Sequence, residues 1–461
     1  MAHAGATARS ALSAGTRRIA PGSSFEHRWP ACTIVALTVA WTIVWGTPKA
    51  QASPQDLFGI GAVSPGLAMT GVAWADGDEA ALLNPAGLGA RWRTALSLGA
   101  SANAPRLRID GRRHALGPAR GLGIGFVVPL PFDGPLHRRL ALGGSFYTPA
   151  QSLLRGEVAY AETVQWPVLA RTDVVGLAVG LGYDASALVR GLRLGAGVRL
   201  LADLLGELAV RLDETGTFSS EVETELLARP SPLVGAQWRR GSLVAGLVYR
   251  HALSSRMSLD VTVRDLPVRV PPLSVGGLVH YEPASVAAEL AWSRARWRLV
   301  VHATWRRWSQ WPGSQQPTSR SSYLAPAPDF DDTLSPRVAV ERTICLRRLP
   351  ARLRAGYAFE PSPAPVARQA PQRTADGRAR TVDGEPVLVP LRIVDGHRHV
   401  ATVGWGLDWA LERGARLALD LYAQVHALVP RTHAIDGPGG ASPMRSSGML
   451  IGAGWTARLQ W

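Results

Sequence analysis

The sequence predicts an all-β protein, a transmembrane antiparallel β-barrel whose lumen holds an N-terminal plug. Three observations predict it. Apolar side chains alternate with polar or small ones in segment after segment, the connections between these segments alternate between short and long, and the one long apolar run lies near the N-terminus. The composition agrees, because 48 glycines and 34 prolines suit many short strands better than a bundle of helices.

The C-terminal segment 448–461 shows the alternation most clearly. Its odd-numbered side chains are all apolar and its even-numbered ones are mostly small or polar, which indicates a strand between two different solvents. The odd-numbered set is Met449, Ile451, Ala453, Trp455, Ala457, Leu459 and Trp461, and the even-numbered set is Leu450, Gly452, Gly454, Thr456, Arg458 and Gln460.

Segments 297–306, 352–360 and 417–426 repeat this division between a polar and an apolar face. Several such strands in series indicate a membrane barrel, in which the apolar face meets lipid and the polar face lines the lumen. Weaker, glycine-rich candidates bring the total to between 14 and 18 strands, and the strand boundaries in the sequence do not decide among these numbers. These candidates are 92–102, 119–130, 138–148, 172–184, 190–203, 206–215, 219–228, 233–250, 255–264, 272–281 and 284–292.

The connections have two lengths. Short turns are expected at 345–349, at 409–413 and near Arg294, and they alternate with long segments rich in Pro, Ser, Gly and Arg. The long segments are 307–334, 361–396 and 427–445. Short periplasmic turns and long outer loops are typical of barrels in the outer membrane of Gram-negative bacteria, so we expect this location.

Residues 1–52 are expected to be a secretory signal peptide. Arg17, Arg18 and Arg28 precede an uncharged apolar run at 31–45, and Ala50-Gln51-Ala52 follows with small residues suited to cleavage. The alternative is an uncleaved anchor, although the run is short for a spanning helix. Cleavage would leave Cys345 as the single cysteine, so no internal disulfide is expected.

The net charge is +15, and Lys49 is the single lysine among 50 basic residues. The arginines are scattered through apolar segments, and no helix-turn-helix, zinc-finger spacing or aromatic RNA-binding motif accompanies them. Nucleic acid is therefore not an expected partner. Anionic lipid phosphates remain candidates for Arg106, Arg108, Arg112 and Arg113 in an expected outer loop, and a merely solvated loop is the equal alternative.

Residues 53–90 do not alternate and are rich in small and apolar side chains. Asn84 before Pro85 suits an Asx turn, with proline at the first position of a helical turn. A barrel of this width leaks unless its lumen is filled, so we expect 53–90 to fold into it as a plug ahead of a barrel at 91–461. A periplasmic extension is the alternative.

Two blocks of sequence, one at either end of the expected mature chain, resemble the FadL-type hydrocarbon transporters, the outer membrane protein transport family. The N-terminal block has Phe58-Gly59-Ile60-Gly61, Gly71-Val72-Ala73, Asp76 and Asn84-Pro85-Ala86-Gly87, which is similar to the family's plug with its Asn-Pro-Ala motif. The C-terminal block has Asp332-Thr333, Leu353-Arg354-Ala355-Gly356-Tyr357-Ala358-Phe359 with Ser362-Pro363, and Asp395 with His397-Arg398-His399. The middle of the chain is supported by its strand pattern alone.

The resemblance implies a monomeric barrel of 14 strands that passively transports hydrophobic compounds, above all long-chain fatty acids. It implies no cofactor, and it implies that plug rearrangement gates the passage at Asn84, Pro85, Ala86 and Asp76. Lipopolysaccharide and the lipids of the outer membrane are expected neighbours.

Phe58, Arg298 and Arg354 are the candidate ligand-binding residues. Phe58 is the first aromatic side chain after the expected cleavage site, and an inward-facing guanidinium can bind a carboxylate head group bidentately. The favoured alternative is that lumen arginines pair with Asp408, Asp420 and Glu360, and that Phe58 packs within the plug.

Enzymatic activity is not expected, because no Ser-His-Asp arrangement, phosphate-binding loop or carboxylate pair stands out. His397 and His399 are too few for a metal site. Besides transport, the remaining hypothesis is a non-transporting barrel that acts as a scaffold or as the partner of a secretion system.

Overall fold

In the computed structural model, the described residues form a closed ring of fourteen antiparallel strands. The ring closes where the first strand pairs with the last, from Ala95 opposite Gln460 to Ile109 opposite Ser446. The described residues are 57–90, 92–114, 118–150, 166, 168–169, 175–212, 218–264, 273–315, 323–346, 349–365, 369–391, 393–437 and 440–461. The expected signal peptide, residues 1–52, lies outside them. The predicted barrel of 14 strands is confirmed.

Each ring strand pairs with the ring strands before and after it in the chain. The strands are β1 (Ala95–Ile109), β2 (Ala119–Pro129), β3 (Leu140–Pro149), β4 (Gly176–Asp184), β5 (Leu192–Leu212), β6 (Phe218–Arg240), β7 (Leu243–Arg250), β8 (Ser285–Arg294), β9 (Trp297–Arg306), β10 (Thr333–Leu346), β11 (Leu349–Glu360), β12 (Arg398–Ala410), β13 (Arg416–Gly437) and β14 (Gly440–Gln460).

A hairpin interrupts the chain between β7 and β8 without entering the ring. Its strands Leu253–Arg264 and Leu273–Glu282 pair with each other, and the first also lies parallel to the end of β5. Because β7 pairs directly with β8, this hairpin accounts for two of the predicted strands. The separate strands predicted at 206–215 and 219–228 are extensions of β5 and β6, which is why the sequence pattern indicated as many as 18.

Two predicted boundaries were wrong. The segment 233–250, predicted as one strand, is divided by a tight turn in which Gly241 has a φ of +59°, in the left-handed region that favours glycine. The segment 427–445, predicted as a long loop, is mostly strand, because β13 and β14 continue their ladder through a bulge after Leu428. The residues of this segment are polar because the two paired strands continue beyond the part of the wall whose outer face is apolar, and not because the segment is an irregular loop.

The remaining elements are short. Arg112–Arg113 folds back on β1, and three small pairs join Tyr323–Leu324 to Arg373–Thr374, Gln369–Pro371 to Leu388–Pro390, and Thr381–Val382 to Glu385–Pro386. The 3₁₀ turns outside the N-terminal region are Gly134–Leu136, Trp308–Gln310 and Glu412–Gly414. No helix among the described residues has both the length and the apolar character needed to span a membrane.

The barrel wall reverses the polarity of a soluble protein. In β8 the exposed positions are Val286, Ala288, Leu290 and Trp292, whereas Glu289 is buried on the opposite face. The same outward apolar face recurs around the ring, with about half of the side-chain surface exposed at Leu96, Leu98, Leu247, Leu299, Val338, Leu353 and Val403. Such an apolar exterior with a polar interior is the arrangement expected of a barrel in lipid.

Residues 57–90 form two short helices, Val63–Gly66 and Ala80–Leu83, and a 3₁₀ turn at Pro85–Ala90. We name this stretch the inner segment. Most of its residues are buried and none is exposed, and its hydrogen bonds reach β6, β8, β12 and β13. The inner segment therefore packs against the polar face of the wall.

Candidate functional site

A single carboxylate anchors the middle of the inner segment. Glu289 of β8 accepts hydrogen bonds from three successive backbone N–H groups, those of Gly71 at 2.8 Å, Val72 at 3.0 Å and Ala73 at 2.9 Å. Gly71 has a φ of +148°, so glycine suits the turn that aims the three donors at one point. Successive backbone N–H groups make a concave anion site, here filled by a side chain of the wall.

His302 of β9 completes this anchor. Its Nδ1 lies 2.8 Å from Oε2 of Glu289, and its Nε2 lies 2.6 Å from Oγ1 of Thr304. Glu289 and His302 are direct partners across the β8–β9 ladder, a relationship that the hairpin spacing around Arg294 could have indicated. The sequence did not predict this hydrogen-bonded group of Thr304, His302 and Glu289, because their contact depends on the register between two strands.

The Asn-Pro-Ala motif forms the predicted turn. The Asn84 side chain accepts a hydrogen bond from the Ala86 N–H at 3.1 Å, which is the expected Asx turn, and Pro85 begins the 3₁₀ turn. The Nδ2 of Asn84 donates to the carbonyl of Val72 at 2.8 Å and to that of Ala236 in β6 at 3.1 Å. Asn84 thus joins two parts of the inner segment to the wall.

Glycines in the wall make room for this turn. A Cβ at Gly195 in β5 would overlap the backbone of Pro85 and Ala86, and one at Gly235 in β6 would overlap the Asn84 side chain. Close backbone approach explains why the strands in the first half of the barrel are glycine-rich.

An ion pair joins residues 78–79 of the inner segment to the wall. Arg458 of β14 lies 3.0 Å from Asp78, which also accepts a hydrogen bond from the Ser97 hydroxyl at 2.6 Å. Glu79 is buried 3.7 Å from the same guanidinium. Burial raises the pKa of Glu79 from 4.5 to about 8, and Arg458 offsets part of that rise. Glu79 is therefore mostly neutral at pH 7. Asp76, three positions earlier, is half-buried.

A cavity of about 120 Å³ lies between the inner segment, the ring strands β3, β4, β5, β7, β8, β9 and β10, and the hairpin that follows β7. Its lining is amphipathic. The apolar part includes Leu82, Leu83, Leu177, Leu200, Leu201 and Leu253, and the charged part includes Arg199, Arg250, Arg306, Arg337 and Glu282.

Three of the four arginines that line the cavity pair with carboxylates among the described residues. Arg199 pairs with Glu282 at 2.5 Å, whereas Arg306 and Arg337 share Glu360 at 2.9 and 2.8 Å. Arg250 is different, since it donates to the carbonyl oxygens of Leu82 and Leu83 in the inner segment. Within the described part of the chain, Arg250 thus differs from the other three in donating to backbone carbonyls rather than to a carboxylate, and a guanidinium held in this way can also bind an anion.

The ligand-binding residues predicted from the sequence lie elsewhere. Phe58 is buried, with its ring centroid 4.8 Å from that of His426 and its carbonyl bonded to Gln424 at 2.7 Å. Arg298 pairs with Glu341 at 3.0 Å and stacks over Trp74. None of the predicted three lines the 120 Å³ cavity, and their role in ligand binding stays a prediction.

The expected pairing of lumen arginines with acids is confirmed. Arg354 is fully buried between Glu341 at 2.8 Å and Asp420 at 2.6 Å, Arg352 pairs with Asp408, and Glu360 holds the two cavity arginines named above. Among the described residues, no group of three or more His, Cys, Asp or Glu side chains could hold a metal ion.

Aromatic side chains of the long connections gather near the cavity end of β9. The ring centroids of Trp311 and Phe330 are 4.4 Å apart, those of Trp308 and Phe330 are 5.9 Å apart, and Tyr281 lies 6.1 Å from Trp308. These rings pack with the aliphatic side chains of Leu391 and Ile393 into one buried cluster. The rim on this side of the ring is therefore apolar immediately beyond the charged cavity.

A closed ring of fourteen strands, apolar outside and polar inside, defines the class of transmembrane-type β-barrels. Within this class, the chain has the fold of the FadL-type transporters. It is similar to the crystal structure of a Pseudomonas aeruginosa FadL homologue, with a TM-score of 0.58 and 15% identity over 89% of this chain and 99% of that one. The P. putida toluene transporter TodX is similar with a TM-score of 0.50 and 15% identity, over 88% and 99% of the two chains. No protein-family model and no curated protein sequence matches.

Proposed function

We propose that this protein is a passive transporter of hydrophobic compounds in the outer membrane of a Gram-negative bacterium. The observation that carries the proposal is the amphipathic cavity between the inner segment and the wall, inside a barrel whose exterior is apolar. The exterior fits a lipid bilayer, and the cavity provides a place for a ligand partway through it. The similarity in fold to a FadL homologue and to a toluene transporter supports this function.

The substrate class that fits best is the long-chain fatty acid. A neutral aromatic hydrocarbon cannot accept hydrogen bonds from the guanidinium of Arg250, whereas a carboxylate can accept two of them. Leucines of β4 and β5 and of the adjoining hairpin, Leu177, Leu200, Leu201 and Leu253, border the same cavity and suit the methylene chain.

The inner segment serves as a plug that ligand binding loosens. Arg250 holds it through the carbonyl oxygens of Leu82 and Leu83, which lie beside the cavity. A ligand carboxylate that accepts hydrogen bonds from the guanidinium of Arg250 competes for them with the carbonyl oxygens of Leu82 and Leu83. The ligand therefore binds better when the plug contact is broken, and such a difference in affinity is what shifts a conformational equilibrium.

The test is a titration of the purified full-length mature barrel with a fluorescent long-chain fatty acid. Arg250→Gln should weaken binding about ten- to hundredfold, the range for a lost hydrogen bond to a charged group. Arg298→Gln is the matched control, because Arg298 is paired with Glu341 away from the cavity and should leave the affinity unchanged. The reverse ranking would instead support the ligand role predicted from the sequence.

A non-transporting scaffold is the other outcome of this experiment. It would be indicated if neither the wild type nor a variant lacking residues 53–90 bound the fatty acid, with folding of both confirmed by heat-modifiable mobility. Saturable binding that weakens without residues 53–90 would support a pocket formed together with the plug.

A further inference from the structure

Four arginines crowd one end of β1, the end away from the short turns of the barrel. Arg106 and Arg108 occupy alternate, exposed positions of β1, and the chain folds back so that Arg113 lies opposite Arg108 and Arg112 opposite Ile109. All four side chains are exposed. Because alternate residues of a strand share a face, Arg106 and Arg108 point outward with Leu96 and Leu98.

These arginines border a concavity rather than a flat surface. A cleft of about 300 Å³ is lined by Arg106, Leu107, Arg108 and Arg113. Within the part of the chain that the structure describes, none of the four arginines takes part in an ion pair. Asp110, the acid in the turn between β1 and Arg112–Arg113, accepts a hydrogen bond from the backbone N–H of Arg445 at 2.7 Å. Adjacent guanidinium groups without counter-ions form a site for a multiply charged anion.

The position of the cleft identifies its ligand. The outward face of β1 is apolar from Leu96 through Ala104 and becomes cationic at Arg106. Ten residues of tilted strand rise about 25 Å, which is the height of the apolar band of an outer-membrane barrel. The arginine cleft therefore lies where the apolar band ends, at the level of lipid head groups, and on the rim of the long connections.

We propose that this cleft binds the phosphates of a lipopolysaccharide molecule in the outer leaflet. The proposal rests on the outer-membrane location proposed above, and it is independent of fatty-acid transport. Arginine suits phosphate because its planar fork donates two parallel hydrogen bonds, and the outward-facing alanines next to it, Ala104, Ala102 and Ala100, border the acyl chains. The chemistry shared by all candidate ligands is phosphate, and lipopolysaccharide is the source that the location selects.

The test measures lipopolysaccharide binding to the detergent-purified full-length mature barrel at physiological salt. Arg106→Gln, Arg108→Gln and Arg113→Gln are combined, and affinity should fall about fivefold for each arginine removed. The matched control combines Arg190→Gln, Arg240→Gln and Arg296→Gln, three exposed arginines on the rim of short turns, and should retain wild-type affinity. Heat-modifiable mobility verifies that both variants fold.

Two further ligands separate the sources of phosphate. Dephosphorylated lipopolysaccharide should bind far more weakly than the intact molecule, and inorganic phosphate should compete only at high concentration. Equal binding of intact and dephosphorylated lipopolysaccharide would overturn the proposal, as would an equal loss of affinity in the control variant. Fatty-acid titration of the same variants separates this site from the transport function, which the cleft variant should leave intact.

Discussion

Glu289 and His302 face each other across two neighbouring strands of the barrel, with 2.8 Å between Oε2 and Nδ1, and both are buried beneath the inner segment. The carboxylate of Glu289 also receives the N–H groups of Gly71, Val72 and Ala73. One carboxylate of the wall thus accepts hydrogen bonds from three N–H groups of the inner segment, and His302 is a fourth donor when it carries a proton on Nδ1. This concentration of contacts makes Glu289 the principal anchor of that segment.

Replacing Glu289 with glutamine should release the inner segment without unfolding the barrel. The amide would present a donor group to backbone N–H groups that need acceptors, and a charged hydrogen-bond acceptor contributes about 1.5–3 kcal/mol at each strong contact. Hydrogen exchange at Gly71, Val72 and Ala73 should rise at least tenfold. Glu385→Gln, in an exposed hairpin, is the control. Unchanged exchange in the Glu289 variant would show that other contacts hold the segment.

A methyl group added at Gly195 should displace the Asn-Pro-Ala turn. The new Cβ would overlap the backbone of Pro85 and Ala86, and such overpacking costs about 1–3 kcal/mol. Gly195→Ala should therefore increase protease cleavage or hydrogen exchange in 84–90. Gly123→Ala is the control, because its Cβ would meet nothing nearer than the Phe146 carbonyl oxygen at 3.8 Å. Equal behaviour of the two variants would contradict the close approach seen in the structure.

Docking of the inner segment should weaken in alkaline solution because of Glu79. Its pKa is raised by burial to about 8, so the neutral carboxyl favours the docked state. That contribution is complete below about pH 4.5, and it is lost as the pH rises towards 8 and Glu79 ionises beside Asp78. Proteolysis of the inner segment should be faster at pH 9 than at pH 6.

The variant Glu79→Gln should flatten this pH dependence, since its side chain does not ionise. Glu412→Gln, in an exposed turn, should keep the wild-type profile. If the pH profile of Glu79→Gln matched that of the wild type, another group would have to be responsible for it.

An arginine on the outward face should obstruct membrane insertion. Leu290, in the middle of β8, is 52% exposed, and Leu290→Arg should destabilise the inserted barrel by about 2–4 kcal/mol if that face meets lipid. Leu388 in a loop hairpin is also 52% exposed, so Leu388→Arg is matched in exposure and should be neutral. The measurement is the urea midpoint of folding into liposomes, and similar midpoints for the two variants would argue against a lipid-facing wall.

Much of the barrel was predictable because its signal is local. In β14 every second residue from Met449 to Leu459 faces away from the lumen, as the alternation indicated, and the Asx turn at Asn84 followed from two adjacent residues. The predictions that failed concern ends of strands. At 427–445 the ladder continues beyond the apolar band, where nothing distinguishes strand from loop in the sequence.

The sequence by itself determined the two faces of the wall, the two kinds of connection and the turn near the end of the inner segment, because each depends on neighbours a few residues apart. Tertiary structure alone decided the site. Gly71 and Glu289 are 218 positions apart, and Arg250 meets the carbonyl of Leu82 across 168 positions. Such contacts exist only after ring closure brings distant strands around one segment. Lumen arginines therefore looked alike in the sequence, and only the folded barrel separated those paired with acids from Arg250, which holds the inner segment beside the cavity.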